Sequence, residues 1–197
     1  MPAKETSLKL TATKVYTISA KDSTKVIEAA GEGREAIYLA EAGAAKEQQW
    51  QFKKEGRFYK ILNKGTGKCL DVEMGGTDNG TRLHQWEFAG GDNQLWFLEE
   101  IGENLVRIKS KQTGKCLDIV DMAKCDGAQL QIWDDVAGDN QAWLITDVTP
   151  AKKTVTRTSK TASKTAAKKP AAKKAPAKKP AAKKPAAKKA APKTEEK

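Results

Sequence analysis

Gly65-Thr66-Gly67-Lys68-Cys69-Leu70-Asp71 returns forty-seven residues later as Gln112-Thr113-Gly114-Lys115-Cys116-Leu117-Asp118, and this repetition decides the fold. Each stretch leads to a second shared signature, Gln94-Leu95-Trp96 in one block and Gln141-Ala142-Trp143 in the other. The blocks align without a gap over residues 59–98 and 106–145, and a weaker third copy ends in Gln48-Gln49-Trp50, forty-six residues before Trp96. A copy of about 46 residues cannot bury its own apolar face, so the three must share one core. Short apolar runs such as Val15-Tyr16-Thr17-Ile18, Tyr59-Lys60-Ile61-Leu62 and Leu105-Val106-Arg107-Ile108 alternate with turns such as Asp78-Asn79-Gly80, Asp126-Gly127 and Gly102-Glu103-Asn104. This punctuation predicts short strands in hairpins. Four strands per copy, packed with pseudo-threefold symmetry, give an all-β class. Residues 34–49 are rich in Ala and Glu and favour helix by propensity, but the repeat register requires strand at residues 37–39. Residues 8–10 are candidates for the first strand.

Charge divides the chain in two. The whole carries a formal +11. Residues 151–197 hold sixteen Lys and one Arg against two Glu, a net of +15, which leaves residues 1–150 at −4. The N-terminus lacks an apolar signal core and no segment approaches bilayer-spanning length, so membrane insertion is not expected. Cys69 and Cys116 occupy the same place in two repeats and Cys125 has no partner in the pattern. Three unpaired thiols suit a reducing compartment, where buried Cys acts as a small apolar residue. The expectation is an intracellular monomer, in cytoplasm or nucleoid if bacterial and in the nucleus if eukaryotic.

The five tryptophans fall into two groups. Trp50, Trp96 and Trp143 end the Gln-x-Trp signatures and are expected to meet in the core. Trp86 and Trp133 lie fifteen residues after Asp71 and Asp118 and eight before Gln94 and Gln141. An exposed indole there offers a platform for the C–H face of a pyranose, while a carboxylate and an amide bind its hydroxyls.

Cys-Leu-Asp, an aromatic fifteen residues beyond the Asp, and then Asp-Asn-Gln-x-Trp together resemble the ricin-type β-trefoil lectins, over residues 8–148. The resemblance implies a trefoil with carbohydrate sites in two repeats. In the second, Asp71 would bind hydroxyls, Trp86 would stack, Asn93 would supply the amide and Gln94 would support the Asp. In the third, Asp118, Trp133, Asn140 and Gln141 repeat the set. Two residues before the platform the family commonly has Gln, which is Gln131 in the third repeat but His84 in the second, a departure that bears on sugar choice. The first repeat puts Glu28 for the Asp, Ala40 for the platform and Glu47 for the Asn, and is expected to complete the core without binding. The polar residues also admit a purely structural role: both Asp follow strands and can bond turn amides, and Asn in Gly-Asp-Asn loops suits the backbone.

Other chemistry is sparse. His84 is the single His, no Cys-x-x-Cys spacing supports zinc, no glycine-rich phosphate loop is present, and nothing marks an acid/base carboxylate pair. No enzyme, cofactor or metal is expected.

The expected organisation is an arm at 1–7, repeats at about 8–55, 56–102 and 103–148, and a tail at 149–197. The tail carries lysine pairs at a five-residue period: Lys168 and Lys169, Lys173 and Lys174, Lys178 and Lys179, Lys183 and Lys184, and Lys188 and Lys189. These ten are the candidate nucleic-acid contacts; Pro170, Pro176, Pro180 and Pro185 separate the pairs and Pro192 follows them. Five residues advance a helix by about 140°, so the pairs build no single face, and with no apolar residue larger than Ala after Val155 the segment is predicted to be disordered. It resembles linker-histone C-terminal domains and the Lys/Ala/Pro-rich tails of bacterial histone-like proteins, and its physics suits DNA or another polyanion through counterion release. The sequence thus describes a glycan-binding module tethered to a polyanion. The alternative is a nucleoid- or chromatin-associated protein whose trefoil binds protein and no sugar.

Overall fold

The computed structural model describes residues 8–150. The expected arm at 1–7 lies outside the described residues. So do all ten candidate nucleic-acid contacts, Lys168, Lys169, Lys173, Lys174, Lys178, Lys179, Lys183, Lys184, Lys188 and Lys189. Twelve strands run in order: β1 (Tyr16–Ala20), β2 (Lys25–Ala29), β3 (Ile37–Glu41), β4 (Trp50–Glu55), β5 (Phe58–Asn63), β6 (Cys69–Val72), β7 (Leu83–Trp86), β8 (Trp96–Gly102), β9 (Leu105–Ser110), β10 (Cys116–Ile119), β11 (Leu130–Trp133) and β12 (Trp143–Asp147). They fall four to a repeat, all antiparallel.

Pairing closes six of them into a barrel. Strand β1 pairs with β4, β4 with β5, β5 with β8, β8 with β9, β9 with β12, and β12 returns to β1. The joints within a repeat are narrow and equivalent: Tyr16 faces Trp50, Tyr59 faces Trp96 and Val106 faces Trp143. The other strands form the hairpins β2–β3, β6–β7 and β10–β11, joined to one another by the bridges Ala36–His84, Tyr38–Gln129 and Arg82–Gln131. This is the β-trefoil.

The pattern that makes these strands is period two. In β9 Val106, Ile108 and Ser110 are buried while Leu105, Arg107 and Lys109 are only partly so. Ile18, Ile61 and Ile108 fill equivalent places in the barrel, and Ile27, Leu70 and Leu117 do so under the hairpins. Trp50, Trp96 and Trp143 are fully enclosed, and each indole N–H donates at 3.0 Å to a hairpin carbonyl, that of Ile27, Leu70 or Leu117. The core tryptophans therefore pack the barrel and tie its hairpins down, which satisfies the one polar atom that burial would otherwise orphan.

Residues 37–39 lie in β3, as the register required, and local helical preference survives only as the 3₁₀ turn Lys46–Gln48. Residues 8–10 are not strand. Leu8 and Leu10 instead lie partly buried against the core, and a hydrogen bond from Thr11 N to Tyr16 Oη at 2.9 Å turns the chain into β1.

Candidate functional site

The two matched heptads end on β6 and β10, and the turns before these strands are set by Gly67 and Gly114, at φ of 75° and 73°. Asp71 and Asp118 sit near the ends of the strands, each opposite a residue of the next strand: Asp71 faces His84 and Asp118 faces Gln131. Cys69 and Cys116 pair in the same way with Trp86 and Trp133. One hairpin thus carries the carboxylate, the polar residue across from it, and the indole two places on, on the same side of the strand.

A second loop completes the set. The 3₁₀ turns Asp92–Gln94 and Asp139–Gln141 deliver an Asn and a Gln to each carboxylate. Asn93 Nδ2 donates to Asp71 Oδ1 at 2.6 Å and Gln94 Nε2 to Oδ2 at 2.7 Å. For Asp118, Asn140 Nδ2 and Gln141 Nε2 both donate to Oδ2, at 2.7 and 3.0 Å, and Gln131 Nε2 donates to Oδ1 at 2.9 Å. No backbone N–H among the described residues reaches either carboxylate, so the turn-amide role that the sequence allowed is not the one these residues take. An ionised carboxylate has about four acceptor positions, of which the cradle leaves about two at Asp71 and about one at Asp118. Burial pushes both carboxyls above the ordinary Asp range, and the amide donors partly offset that rise.

Gln94 and Gln141 do more than support the Asp. Each also donates at 2.8 Å to a loop carbonyl, Glu87 or Asp134, and accepts from Ala89 N or Val136 N. Gln48 makes the same bonds in the first repeat, to Glu41 O and from Gly43 N, and holds Glu28 at 2.6 Å. There Tyr38 Oη also donates to Glu28, and Ala40 stands where the other copies have Trp. The Gln is thus a clamp present in all three copies, with or without a platform beside it.

Trp86 is 43% exposed and Trp133 38%, whereas their Gln-x-Trp counterparts are fully buried. Each lines an open cavity with its Asp and Asn. That of the second repeat, about 450 Å³, adds Glu35, Glu73, Met74 and His84. That of the third, about 420 Å³, adds among others Arg82, Asp121, Met122 and Gln131. His84 lies parallel to Trp86 with ring centres 5.6 Å apart, and its Nε2 is 3.8 Å from Asp71 Oδ1. Lys68 Nζ stands 5.4 Å from the Trp86 ring centre. The second indole is flanked by polar groups in a way that the third is not.

All ten candidate residues of the trefoil therefore gather into two clusters. The sequence did not disclose Glu35 and Arg82, which come from the repeat preceding each site through the Ala36–His84 and Arg82–Gln131 bridges. The residues after the Asp were also missed. Met74 lies at φ 51°, and Asp121 and Met122 lie at 53° and 52°, so these side chains project at the lips of the cavities. Met74 is 96% exposed.

Residues 7–86, 46–133 and 92–175 match the model of the family described as Ricin-type beta-trefoil lectin domain-like. The chain belongs to this family. Among solved structures, the designed threefold-symmetric protein ThreeFoil is 28% identical, with a TM-score of 0.64, over 68% of this chain and 99% of that one. A ricin B-like lectin of Macrolepiota procera, solved in complex with lactose, is 27% identical with a TM-score of 0.62, over 70% of this chain and 98% of the lectin. The exo-β-1,3-galactanase 1,3Gal43A of Clostridium thermocellum is 30% identical with a TM-score of 0.67, over 72% of this chain, which spans only 32% of that enzyme. The ricin-type domain thus occurs both as most of a lectin and within a far longer hydrolase.

Proposed function

We propose that this ricin-type trefoil binds carbohydrate through its second and third repeats and that the basic C-terminal segment holds the protein on DNA or another polyanion. One observation carries the first half. The carboxylate cradle recurs with an exposed indole and an open cavity in the two copies that keep Asp, Asn and Trp, while the copy with Ala40 has its carboxylate capped by Tyr38. A sugar would lay its C–H face on Trp86 or Trp133 and direct hydroxyls to the free acceptor positions of Asp71 or Asp118, with Asn93 or Asn140 beside them. The lactose complex of the Macrolepiota lectin supports carbohydrate as the ligand class. We read the chain as a binding module without catalysis of its own.

The second half rests on charge: sixteen Lys within residues 151–197 against a net −4 in residues 1–150. If about eight of them contact duplex phosphates, the log–log salt dependence of binding has a slope of about −7.

The test is a glycan array read with the full chain beside its Asp71→Ala/Asp118→Ala double variant. Each site is expected to be weak, with a Kd of about 0.1–1 mM or about −4 to −5.5 kcal/mol, so the glycans are displayed multivalently. Binding lost in the folded variant is the expected result. A folded wild-type chain that binds no glycan would sink the lectin assignment and return the trefoil to the role of a protein-binding scaffold. Removal of residues 151–197 is expected to abolish DNA binding, and undiminished binding would overturn the assignment of that role to the tail.

A further inference from the structure

The two sites share a cradle but not a charge. Beyond the common Asp, the second-repeat cavity presents Glu35 and Glu73 beside His84, whereas the third-repeat cavity presents Arg82 and Asp121. The difference is positional. Arg82 bridges to Gln131 as Ala36 bridges to His84, so the position that brings a guanidinium to the third-repeat cavity holds Ala, which does not line the cavity, in the second.

Arg82 is half-buried between the third-repeat cavity and a smaller, open one of about 280 Å³ lined by the three hairpins, where Glu35 and Glu73 stand on the side of the second-repeat site. Among the described residues its guanidinium forms no ion pair and makes one hydrogen bond, Nη1 to Gln131 Oε1 at 3.4 Å. A guanidinium carries five N–H donors in a fixed fork suited to carboxylate and sulfate oxygens. Arg82 is only half-buried, so its remaining donors are open to the cavities on either side and available to a ligand. Gln131 in turn donates to Asp118, so Arg82 abuts the carboxylate cradle without neutralising it. Asp121 is exposed at the rim, and its charge is better screened by water than that of the half-buried Arg82.

Resting on the carbohydrate assignment above, we propose that Arg82 makes the third-repeat site selective for a sugar with an anionic substituent, a carboxylate or a sulfate ester, next to its ring hydroxyls. The second-repeat site, with Ala36 in that position and Glu35 and Glu73 at its wall, disfavours the same ligand. The chain then carries one site for acidic sugars and one for neutral or amino sugars, which a linear glycan with alternating acidic residues could engage together.

The test uses the full chain at physiological salt and matched methyl glycosides of glucose, galactose and mannose as the neutral sugar, the uronic acid and the 6-sulfate. Binding is followed at the Trp133 indole N–H by NMR, identified through Trp133→Phe, so that ligand held by the lysine-rich segment does not register. The expected result is a preference of about 5- to 20-fold for an acidic member over its neutral parent, the size of a partly screened charge-assisted bond. Arg82→Gln should reduce that ratio to near one and Arg82→Lys should retain part of it. The uronic acid and sulfate series separate the two sources of charge. No acidic preference in the wild type, or an unchanged ratio in Arg82→Gln, overturns the inference while leaving the lectin assignment standing. No shift of Trp133 with any member overturns the inference together with the third-repeat site on which it rests, whereas the glycan array decides the lectin assignment itself.

Discussion

Asp118→Asn keeps the shape of the side chain, removes its charge, and so isolates what the carboxylate does. The native group accepts from Gln131, Asn140 and Gln141. An Asn oxygen turned toward Asn140 and Gln141 preserves two of those bonds, and its NH₂ then confronts Gln131 Nε2. A donor left unpaired in a buried site costs about 1–3 kcal/mol. Turning the Gln131 amide over relieves this only by giving up its 3.4 Å bond from Arg82, while the desolvation of a buried charge disappears. The net change in stability is expected to be about 1 kcal/mol or less. Binding suffers more, because a hydroxyl bond to a charged acceptor is worth about 1.5–3 kcal/mol, or a loss of roughly 10- to 150-fold. Titration of the third-repeat site, with a denaturant midpoint for the same variant, measures both. Native affinity in a folded Asn variant would refute this account of the carboxylate.

Acidity supplies a second reading of the same group. Because burial raises the Asp118 carboxyl above the ordinary Asp range, sugar release on acidification should begin at a higher pH than for an exposed carboxylate. Stability moves the other way. The folded chain holds this proton more tightly than the unfolded chain, so the group's contribution grows as pH falls through its raised pKa and is fully gained below the unfolded value. The site is therefore expected to empty while the fold is intact, and the Asn variant should lose this pH dependence.

Other expectations follow from burial and backbone shape. Trp133→Ala should abolish third-repeat binding at a stability cost of about 1–2 kcal/mol, whereas Trp143→Ala should cost about 3–5 kcal/mol and strand the carbonyl of Leu117; chemical denaturation separates them. Met122 holds φ 52° where the second repeat has Gly75 at 64°, so Met122→Gly should stabilise by about 0.5–1 kcal/mol, net of added unfolded-state entropy, seen as a raised denaturant midpoint. Burial pushes the Cys69 and Cys116 thiols up to about 12, so at about pH 8, near the pKa of a free thiol, a thiol reagent should label exposed Cys125 alone until the chain unfolds.

The trefoil was legible because its defining residues repeat. The matched heptads and three Gln-x-Trp signatures give a period that no local propensity can imitate, and they overruled the helical bias of residues 34–49. Asp71, Asn93 and Trp86 were legible for the same reason, since each has a counterpart forty-seven residues on. Arg82 and Glu35 were not. They reach the sites across hairpin bridges from the preceding repeat, and neither is echoed at its equivalent positions. Gln85 escaped notice likewise. It lies wholly buried where the other copies have Leu39 and Ile132, and bonds Thr66 and the carbonyls of Ala30 and Arg34. Such a substitution breaks the apolar pattern and is explained only by the loop it fastens. Residues 8–10 had the alternation of a strand, but the opening of β1 is already paired with β4 and β12, so they pack as an irregular cover.

The Gln48 clamp persists in a repeat that has lost its platform, which separates the upkeep of the fold from the choice of ligand. Valency in this protein is consequently a surface property. In the first copy Tyr38, Ala40 and Glu47 all differ from their counterparts while the Gln48 bonds beneath them are kept, so the number of sites can change by rewriting such residues without disturbing the core.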